Sequence, residues 1–391
     1  MILTNCAVCA TELGQTLGKK CGRCSTRYCG AACQAQHWKE GGHDKLCKLI
    51  KKAGGAEQYN ANQKYTAAVA VAVEKCADDT KGQACFICTQ ALHWKTKEGL
   101  VRGCSCHGTA GFAHVSCLAE QAKILVAEAL ENNLDLKVKN ERWNRWHTCS
   151  LCEQDYHGAV RCALGWACWK TYMGRPVGDE IWGLAINQLG RGLTAAAHHE
   201  DALSVIGAEL ATMRRFGASA SNIFVAQNNL ASTYHSLGRD EESIRIEQDV
   251  YSGCTRLYGE EHERTLVAAS NYAMSLAILR RFEAAKSLLR KTLPVARRVL
   301  GEGNALTLKM RKIYAMALYE DVTATLDDRR EAVTTLEEIE RTARRVFGGA
   351  HPLAAGLVQS LQDARVALAA REGEQVEFIR EVMAAMTPGD A

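Results

Sequence analysis

The chain has 391 residues, 18 of them cysteine, 24% charged and with a formal net charge of +4 when thiols and histidines are counted neutral. Fifteen cysteines fall in the first 152 residues and three in the remaining 239, which excludes one uniform globular fold. The opening Met-Ile-Leu-Thr-Asn-Cys has neither the basic flank nor the apolar run of a signal peptide, and no stretch approaches ~18 uncharged apolar residues, so neither a secreted disulfide scaffold nor a membrane span is expected. Clustered thiols in an intracellular chain point to metal or redox chemistry.

The first 47 residues carry Cys6, Cys9, Cys21, Cys24, Cys29, Cys33, His43 and Cys47. Seven thiols and one imidazole suffice for two tetrahedral zinc sites, because a two-residue spacer turns both sulfurs of a Cys-x-x-Cys pair onto one ion. The Cys-x3-Cys and His-x3-Cys pairs place both ligands on one face of a helical turn. So short a segment cannot bury enough apolar surface to fold alone, and metal would supply the missing stability. The run from Tyr28 to Cys47, YCGAACQAQHWKEGGHDKLC, resembles the second half of a MYND finger, and the two upstream pairs complete it. The resemblance implies a cross-brace: Cys6, Cys9, Cys29 and Cys33 on one zinc, Cys21, Cys24, His43 and Cys47 on the other. It also implies proline-containing peptides as ligands, with Gln34 and Trp38 as contacts. Trp38 could alternatively cover the small core, and His37 is an alternative to His43 that lacks the His-x3-Cys spacing.

Residues 51–80 read as a linker. Lys51 to Gly55 is a break, Tyr65 to Cys76 a short helix, and Asp78 to Gln83 a loop. Cys76 has no partner at ligand spacing and reads as a plain thiol.

A second octet occupies 81–157: Cys85, Cys88, Cys104, Cys106, His114, Cys117, Cys149 and Cys152. The order of four Cys, one His and three Cys, with GCSCHGTAGFAHVSCLAEQ (Gly103 to Gln121) and CSLCEQDYHG (Cys149 to Gly158), resembles the RING-CH finger. The resemblance implies one zinc on Cys85, Cys88, His114 and Cys117, and a second on Cys104, Cys106, Cys149 and Cys152. It further implies a ubiquitin ligase without a nucleophile, which docks a ubiquitin-conjugating enzyme on an apolar groove at Ile87, with Trp143 or Trp146 on the other side. Two features depart from the family. Leu118 to Lys139 reads as an inserted helix, and Glu153 stands where many such ligases carry a basic residue. A zinc fold kept for binding alone is the competing reading. His107 and His147 are off-pattern. Four protein donors per ion leave no open position for water, which argues for structural zinc and against a zinc hydrolase.

From 158 to 372 the chain is a repeat. Gly217, Gly259, Gly301 and Gly348 recur in register, as do Asn187, Asn229 and Asn271, and Ala231, Ala273 and Ala315. An insertion near Asp321 to Asp328 lengthens the last unit. Each unit reads as two helices and a glycine stop, for instance Thr265 to Leu279 and Phe282 to Val299, with an apolar stripe that only stacking can bury. YGEEHERTL (Tyr258 to Leu266) and FGGAHPL (Phe347 to Leu353) resemble the inter-repeat turn of kinesin-light-chain-like tetratricopeptide repeats. Cys162, Cys168 and Cys254 are expected in core or half-buried positions, His198-His199 in a turn. Asp240 to Glu242 and Asp327 to Glu331 are expected at helix starts. Residues 373–391 are expected to be a terminal helix and a disordered tail.

The expected architecture is therefore mostly α: two small cross-braced zinc fingers followed by a helical solenoid. The expected partners are proteins or peptides in the cytoplasm or nucleus, with neither nucleic acid nor membrane. Ubiquitin ligation leads as the specific function, and a non-catalytic adaptor is the alternative. No phosphate loop, nucleophile elbow or dinucleotide fingerprint is present. Fourteen thiolates and four zinc ions move the formal charge from +4 to about −2, so the basic balance does not argue for an anionic partner.

Overall fold

The computed structural model describes residues 6–9, 11, 13, 18–347 and 352–386. The chain is mostly α-helical, with two small N-terminal Cys/His modules followed by a long helical repeat. It divides into two compact units, 1–237 and 238–391. Gly348 and most of the FGGAHPL turn lie outside the described residues, as does the tail after Met386.

The first unit opens with a two-stranded hairpin, β1 (Lys19–Lys20) and β2 (Arg27–Tyr28), with Lys19 opposite Tyr28. Helices α1 (Ala31–Lys39) and α2 (His43–Lys52) follow. Gly54 and Gly55, at φ 99° and 117°, make the break before α3 (Ala56–Lys75). This helix begins nine residues before the expected start at Tyr65. The reason is that Ala56 and Ala61 are buried although the polar run around them gave no apolar stripe to read.

The stretch expected as one inserted helix is two. Helix α4 (Val115–Glu131) stops at Asn132 and Asn133, and Asn133 adopts φ 46°. Asp135 then caps α5 (Leu136–Trp143) by accepting from the Val138 N–H at 3.0 Å. Asparagine tolerates the left-handed backbone that ends one helix, and aspartate favours the cap that starts the next.

Helix α6 (Gly158–Tyr172) is buried on nearly every face. It packs against α3, α4 and α7 (Glu180–Ala195). A Cβ at Gly165 would stand 2.9 Å from the Gln188 carbonyl, and one at Gly192 would stand 2.9 Å from the Arg161 carbonyl. These two glycines let the α6 and α7 backbones approach closely. Helices α8 (His199–Arg215) and α9 (Ala220–Ser236) complete the unit.

The second unit is a helical stack: α10 (Asp240–Tyr258), α11 (Glu263–Ile278), α12 (Phe282–Leu300), α13 (Ala305–Tyr319), α14 (Leu326–Phe347) and α15 (Pro352–Met386). Each helix packs on the next, and α13 also packs on α11 and α15, which is the contact pattern of stacked hairpins. The insertion lies in residues 320–325, against 279–281 for the corresponding turn one unit earlier.

The turns repeat in geometry as well as in sequence. Asp179, Ser219, His262 and Asn304 each cap a first helix of a pair through a side-chain acceptor. Between paired helices stand Ala197 (φ 61°), Gly238 (φ 70°) and Arg280 (φ 55°), each followed by a residue near φ −90°, ψ 60°. Gly259 and Gly301 end second helices at φ 85°, ψ 171° and φ 90°, ψ 160°. That is a glycine-only region, more extended than the left-handed cap the sequence suggests.

One buried ion pair ties the inserted turn down. Lys286 Nζ lies 3.2 Å from Asp321 Oδ2, with only 5% and 8% of the two side chains exposed. Asp321 Oδ1 accepts from the Thr323 N–H at 2.9 Å and hydroxyl at 2.7 Å. Burial raises the Asp321 carboxyl, but the Thr323 donors and the Lys286 ammonium outweigh it and hold it below the ordinary carboxylate value.

Two predictions follow from the backbone and this pair. Ala197→Gly removes a side chain from a left-handed position and should raise stability by about 0.5–1 kcal/mol, read as a higher denaturant midpoint. Asp321→Asn should cost about 2 kcal/mol near neutral pH, because the buried Lys286 ammonium keeps only the solvent-exposed Glu283 carboxylate as its ion-pair partner. Because the folded carboxyl titrates low, the wild-type advantage is present above the ordinary aspartate range and disappears as pH falls through the lowered value. Denaturation of both proteins from pH 7 down to pH 2 should show the curves converge.

Candidate metal centres

Four Cys-x-x-Cys turns build the donor clusters, and their backbones are alike. The first cysteine's N–H donates five residues ahead: Cys6 to Thr11, Cys21 to Thr26, Cys85 to Gln90 and Cys149 to Gln154, at 2.8–3.0 Å. In the last three, the residue after the second cysteine donates back to the first cysteine's carbonyl, from Ser25, Thr89 and Glu153. Those three residues sit at φ 60°, 61° and 55°. This tight turn aims both sulfurs to one side. It also points backbone N–H groups at sulfur: Ile87 N to Cys85 Sγ and Leu151 N to Cys149 Sγ, both 3.4 Å.

The structure gathers the sixteen donors into four quartets: Cys6, Cys9, Cys29 and Cys33; Cys21, Cys24, His43 and Cys47; Cys85, Cys88, His114 and Cys117; Cys104, Cys106, Cys149 and Cys152. Within each, all ligand atoms lie within 4.8 Å of one another. In both modules the order is interleaved, so the two modules are cross-braced. Of the other donors, Cys29, Cys104 and Cys106 lie in loops and the remaining five on helices or at a helix start. Cys33 stands on α1, His43 and Cys47 one turn apart on α2, and His114 and Cys117 at the start of α4.

The spacing fits zinc. Four sulfurs at ~2.3 Å from one ion stand ~3.8 Å apart in a tetrahedron. Here Cys29 Sγ lies 3.4 Å from Cys33 Sγ and 3.5 Å from Cys9 Sγ. Cys21 Sγ is 3.9 Å from Cys47 Sγ, and Cys106 Sγ 3.8 Å from Cys149 Sγ. None approaches the ~2.05 Å of a disulfide. The imidazoles turn nitrogen toward sulfur: His43 Nε2 is 3.3 Å from Cys24 Sγ, and His114 Nδ1 is 3.4 Å from Cys88 Sγ. His114 Nε2 lies 3.3 Å from the Ala91 carbonyl, the outer hydrogen bond that fixes a ligating tautomer.

The electrostatics favour a cation among these sulfurs. The Cys29 and Cys9 sulfurs push the Cys33 thiol up to about 12. Burial, then the Cys24 and Cys21 sulfurs, push Cys47 up to about 11. Thr11 hydrogen bonds draw Cys9 down to about 6. Each quartet thus pairs readily ionised thiols with thiols that the first ones hold protonated. A divalent ion relieves that repulsion and ionises all of them.

His37 and His147, outside the quartets, have other partners. His37 Nδ1 is 2.9 Å from the Tyr28 hydroxyl. His147 Nδ1 is 2.9 Å from Gln188 Nε2, and burial lowers its imidazole to about 4. His107 lies outside all four. Cys76 is buried, with its Sγ 3.6 Å from the Arg102 carbonyl.

The expected partner contacts fare unequally. Gln34 and Trp38 stand one turn apart on α1, and Trp38 is 45% exposed with its ring 5.8 Å from that of His43. Ile87 is half-buried against the core of the second module. Trp146 is the correction. It is 1% exposed, edge-on to Tyr172 at 5.7 Å, and Trp143 is 7% exposed beside the same ring. Neither indole faces a groove. Both seal α5 and its following turn onto α6, a role that the sequence spacing of the two tryptophans does not disclose.

Sequence reasoning also passed over Glu209, fully buried on α8. A signal was available. It lies four residues after Val205 and three after Ile206, on the helix's inward stripe.

A MYND finger family model matches residues 6–47, and a tetratricopeptide repeat model matches 222–298. No curated protein matches the chain. Among solved structures, the chain is similar to TPR-like repeats described as kinesin light chain from Podosopora anserina. There the identity is 19%, the match covers 51% of this chain and 92% of that one, and the TM-score is 0.41. It is also similar to BtubC (BKLC) from P. vanneervenii, at 15% identity over 71% of this chain and 95% of that one, with a TM-score of 0.42. The chain thus carries an N-terminal MYND-type zinc finger, a second candidate zinc module and a TPR-like helical repeat region.

Elemental analysis of the purified chain should find about four zinc ions, and Cys47→Ser should lower the count by about one. Chelation should unfold the first 47 residues while α10–α15, which hold no quartet donor, keep their helical circular dichroism. A count near two, or loss of the whole helical signal, would contradict the assignment.

Proposed function

We propose that this zinc-binding, multidomain interaction protein is a non-catalytic adaptor. In this reading 1–50 is a peptide-binding finger, 51–80 a linker, 81–157 a second zinc module and 158–372 a scaffold of repeats, followed by a terminal helix and tail at 373–391. The observation that carries it is the exposed face of α1. Trp38, a large amphipathic side chain, is held open to solvent beside the buried His43, with Gln34 one turn before it. An exposed indole on a rigid, metal-anchored helix with an amide next to it suits an extended proline-containing peptide. The ring packs on proline, and the amide bonds the peptide backbone. Sixteen donors in four closed quartets favour structural zinc over hydrolytic zinc. Thiolate sites of this number persist in a reducing compartment, cytoplasm or nucleus.

A ubiquitin ligase of RING-CH type is the second reading, and one observation favours it. The Cys85 turn presents Ile87 half-buried and is followed by Leu92 and Trp94, 59% and 70% exposed. An apolar surface beside a zinc turn suits a conjugating enzyme better than solvent does.

Titration of the full chain with proline-containing peptides should give binding that Trp38→Ala weakens at least tenfold with zinc content unchanged. Equal affinity in the variant would reduce Trp38 to packing. Autoubiquitination with a panel of conjugating enzymes separates the second reading. The adaptor predicts no signal from any enzyme, and a signal that Ile87→Ala abolishes would replace the adaptor by the ligase.

A further inference from the structure

We propose that the cavity walled by α7, α8 and the start of α9 is a docking pocket for a basic side chain, lysine or arginine, of a partner polypeptide. The inference rests on the reading of the helical repeats as a scaffold for peptides, and it names the chemistry that one site on them selects.

The cavity holds about 430 Å³, the size of a small ligand site. Its floor is Glu209, a carboxylate with no exposed surface. One oxygen, Oε1, accepts from Asn187 Nδ2 at 3.1 Å. The other, Oε2, is buried without a hydrogen-bond partner. A buried carboxylate oxygen left unmatched is costly, and sites that keep one commonly use it on a ligand. Burial raises this carboxyl to about 7, and the single Asn187 bond only partly offsets that. Glu209 therefore sits where an arriving cation would complete an ion pair.

The walls suit a long basic side chain. Trp182 is fixed edge-on to Trp169 at 5.6 Å and lines one side. Met213 and Phe216 line the other, and Val225 stands at the rim, with Phe216 and Val225 about half exposed. Such a channel takes a methylene stem along its apolar sides and a cationic head at its end. Charge is one-sided. Asp179, Glu180 and Glu209 line the cavity, and among the described residues no lysine, arginine or histidine does. Asp179 is already engaged by Arg175, at 2.8 and 3.1 Å, and by the first turn of α7, and Glu180 is exposed to water, so the buried unmatched charge is Glu209 at the floor. An anionic or neutral head group would leave it unmatched still.

The test uses the zinc-loaded full chain and four pools of fluorescein-labelled nonapeptides, randomised except for a central lysine, arginine, norleucine or glutamate, read by fluorescence anisotropy. The lysine and arginine pools should bind at least tenfold more tightly than the norleucine pool, and the glutamate pool most weakly. Glu209→Gln should reduce the basic-over-norleucine preference to under threefold with an unchanged melting midpoint. Val225→Lys, at the exposed rim where folding is not at stake, should do the same by repulsion. Equal binding of all four pools, absence of binding by any pool, or a preference that survives both substitutions overturns the pocket. Equal binding would still leave the repeats a peptide scaffold, and the Trp38 titration stands apart from every one of these outcomes.

Discussion

The N-terminal third of this protein is organised around crowded thiols, whose mutual repulsion on ionisation a bound divalent cation would relieve. Four times over, the backbone brings three or four sulfurs within 4.8 Å of one another. In water, adjacent thiolates resist joint ionisation, and here Cys33 is driven up to about 12 by its neighbours. A tetrahedral divalent ion would turn that repulsion into attraction. The small cores around it are secondary. The first module's buried set consists largely of the ligands themselves, with Leu13, Tyr28, Ile50 and Ala56 as the apolar remainder. Metal binding there would be coupled to folding, and an ion held by the quartet that includes Cys33 would anchor α1 and its exposed face.

The helical repeats obey a different constraint. No helix pair can bury its own stripe, so stability comes from stacking, and the turns must repeat to keep the stack in phase. That is why φ near 60° recurs between paired helices whether the residue is Ala197, Gly238 or Arg280. Backbone geometry is the conserved quantity from unit to unit here, and glycine is only its cheapest solution. Among the described residues no helix is long and apolar enough to cross a membrane.

Legibility from sequence divides along the same line. The zinc turns were readable because their chemistry is local. A Cys-x-x-Cys turn closes within six residues, and its hydrogen bonds run from each first cysteine to the fifth residue on. The two-helix units were readable because the 42-residue spacing of Gly217, Gly259 and Gly301 repeats a physical event, the end of a helix. What escaped depends on contacts between segments far apart. The early start of α3 depends on Ala56 joining the core of the first module, while the helix also packs on the distant α6. Trp146 looked like a surface contact because its burial comes from Tyr172. Lys286 and Asp321 pair across a turn insertion that sequence could locate but not connect.

Glu209 combines both lessons. Its phase on α8 marks it as inward-facing, and a glutamate on an inward stripe is a local conflict between charge and burial. Lys286 and Asp321, two other buried charges, resolve the conflict with each other. Glu209 has only Asn187, a neutral amide that satisfies one oxygen of two. The asparagine recurs at one phase through the repeats as Asn187, Asn229 and Asn271, whereas the carboxylate it meets stands on α8. A structural acid would be expected to carry a full set of partners, as Asp321 does. A half-satisfied acid at the floor of an apolar cavity keeps its second oxygen for something that enters from outside, and the carboxylates lining that cavity specify the sign of its charge.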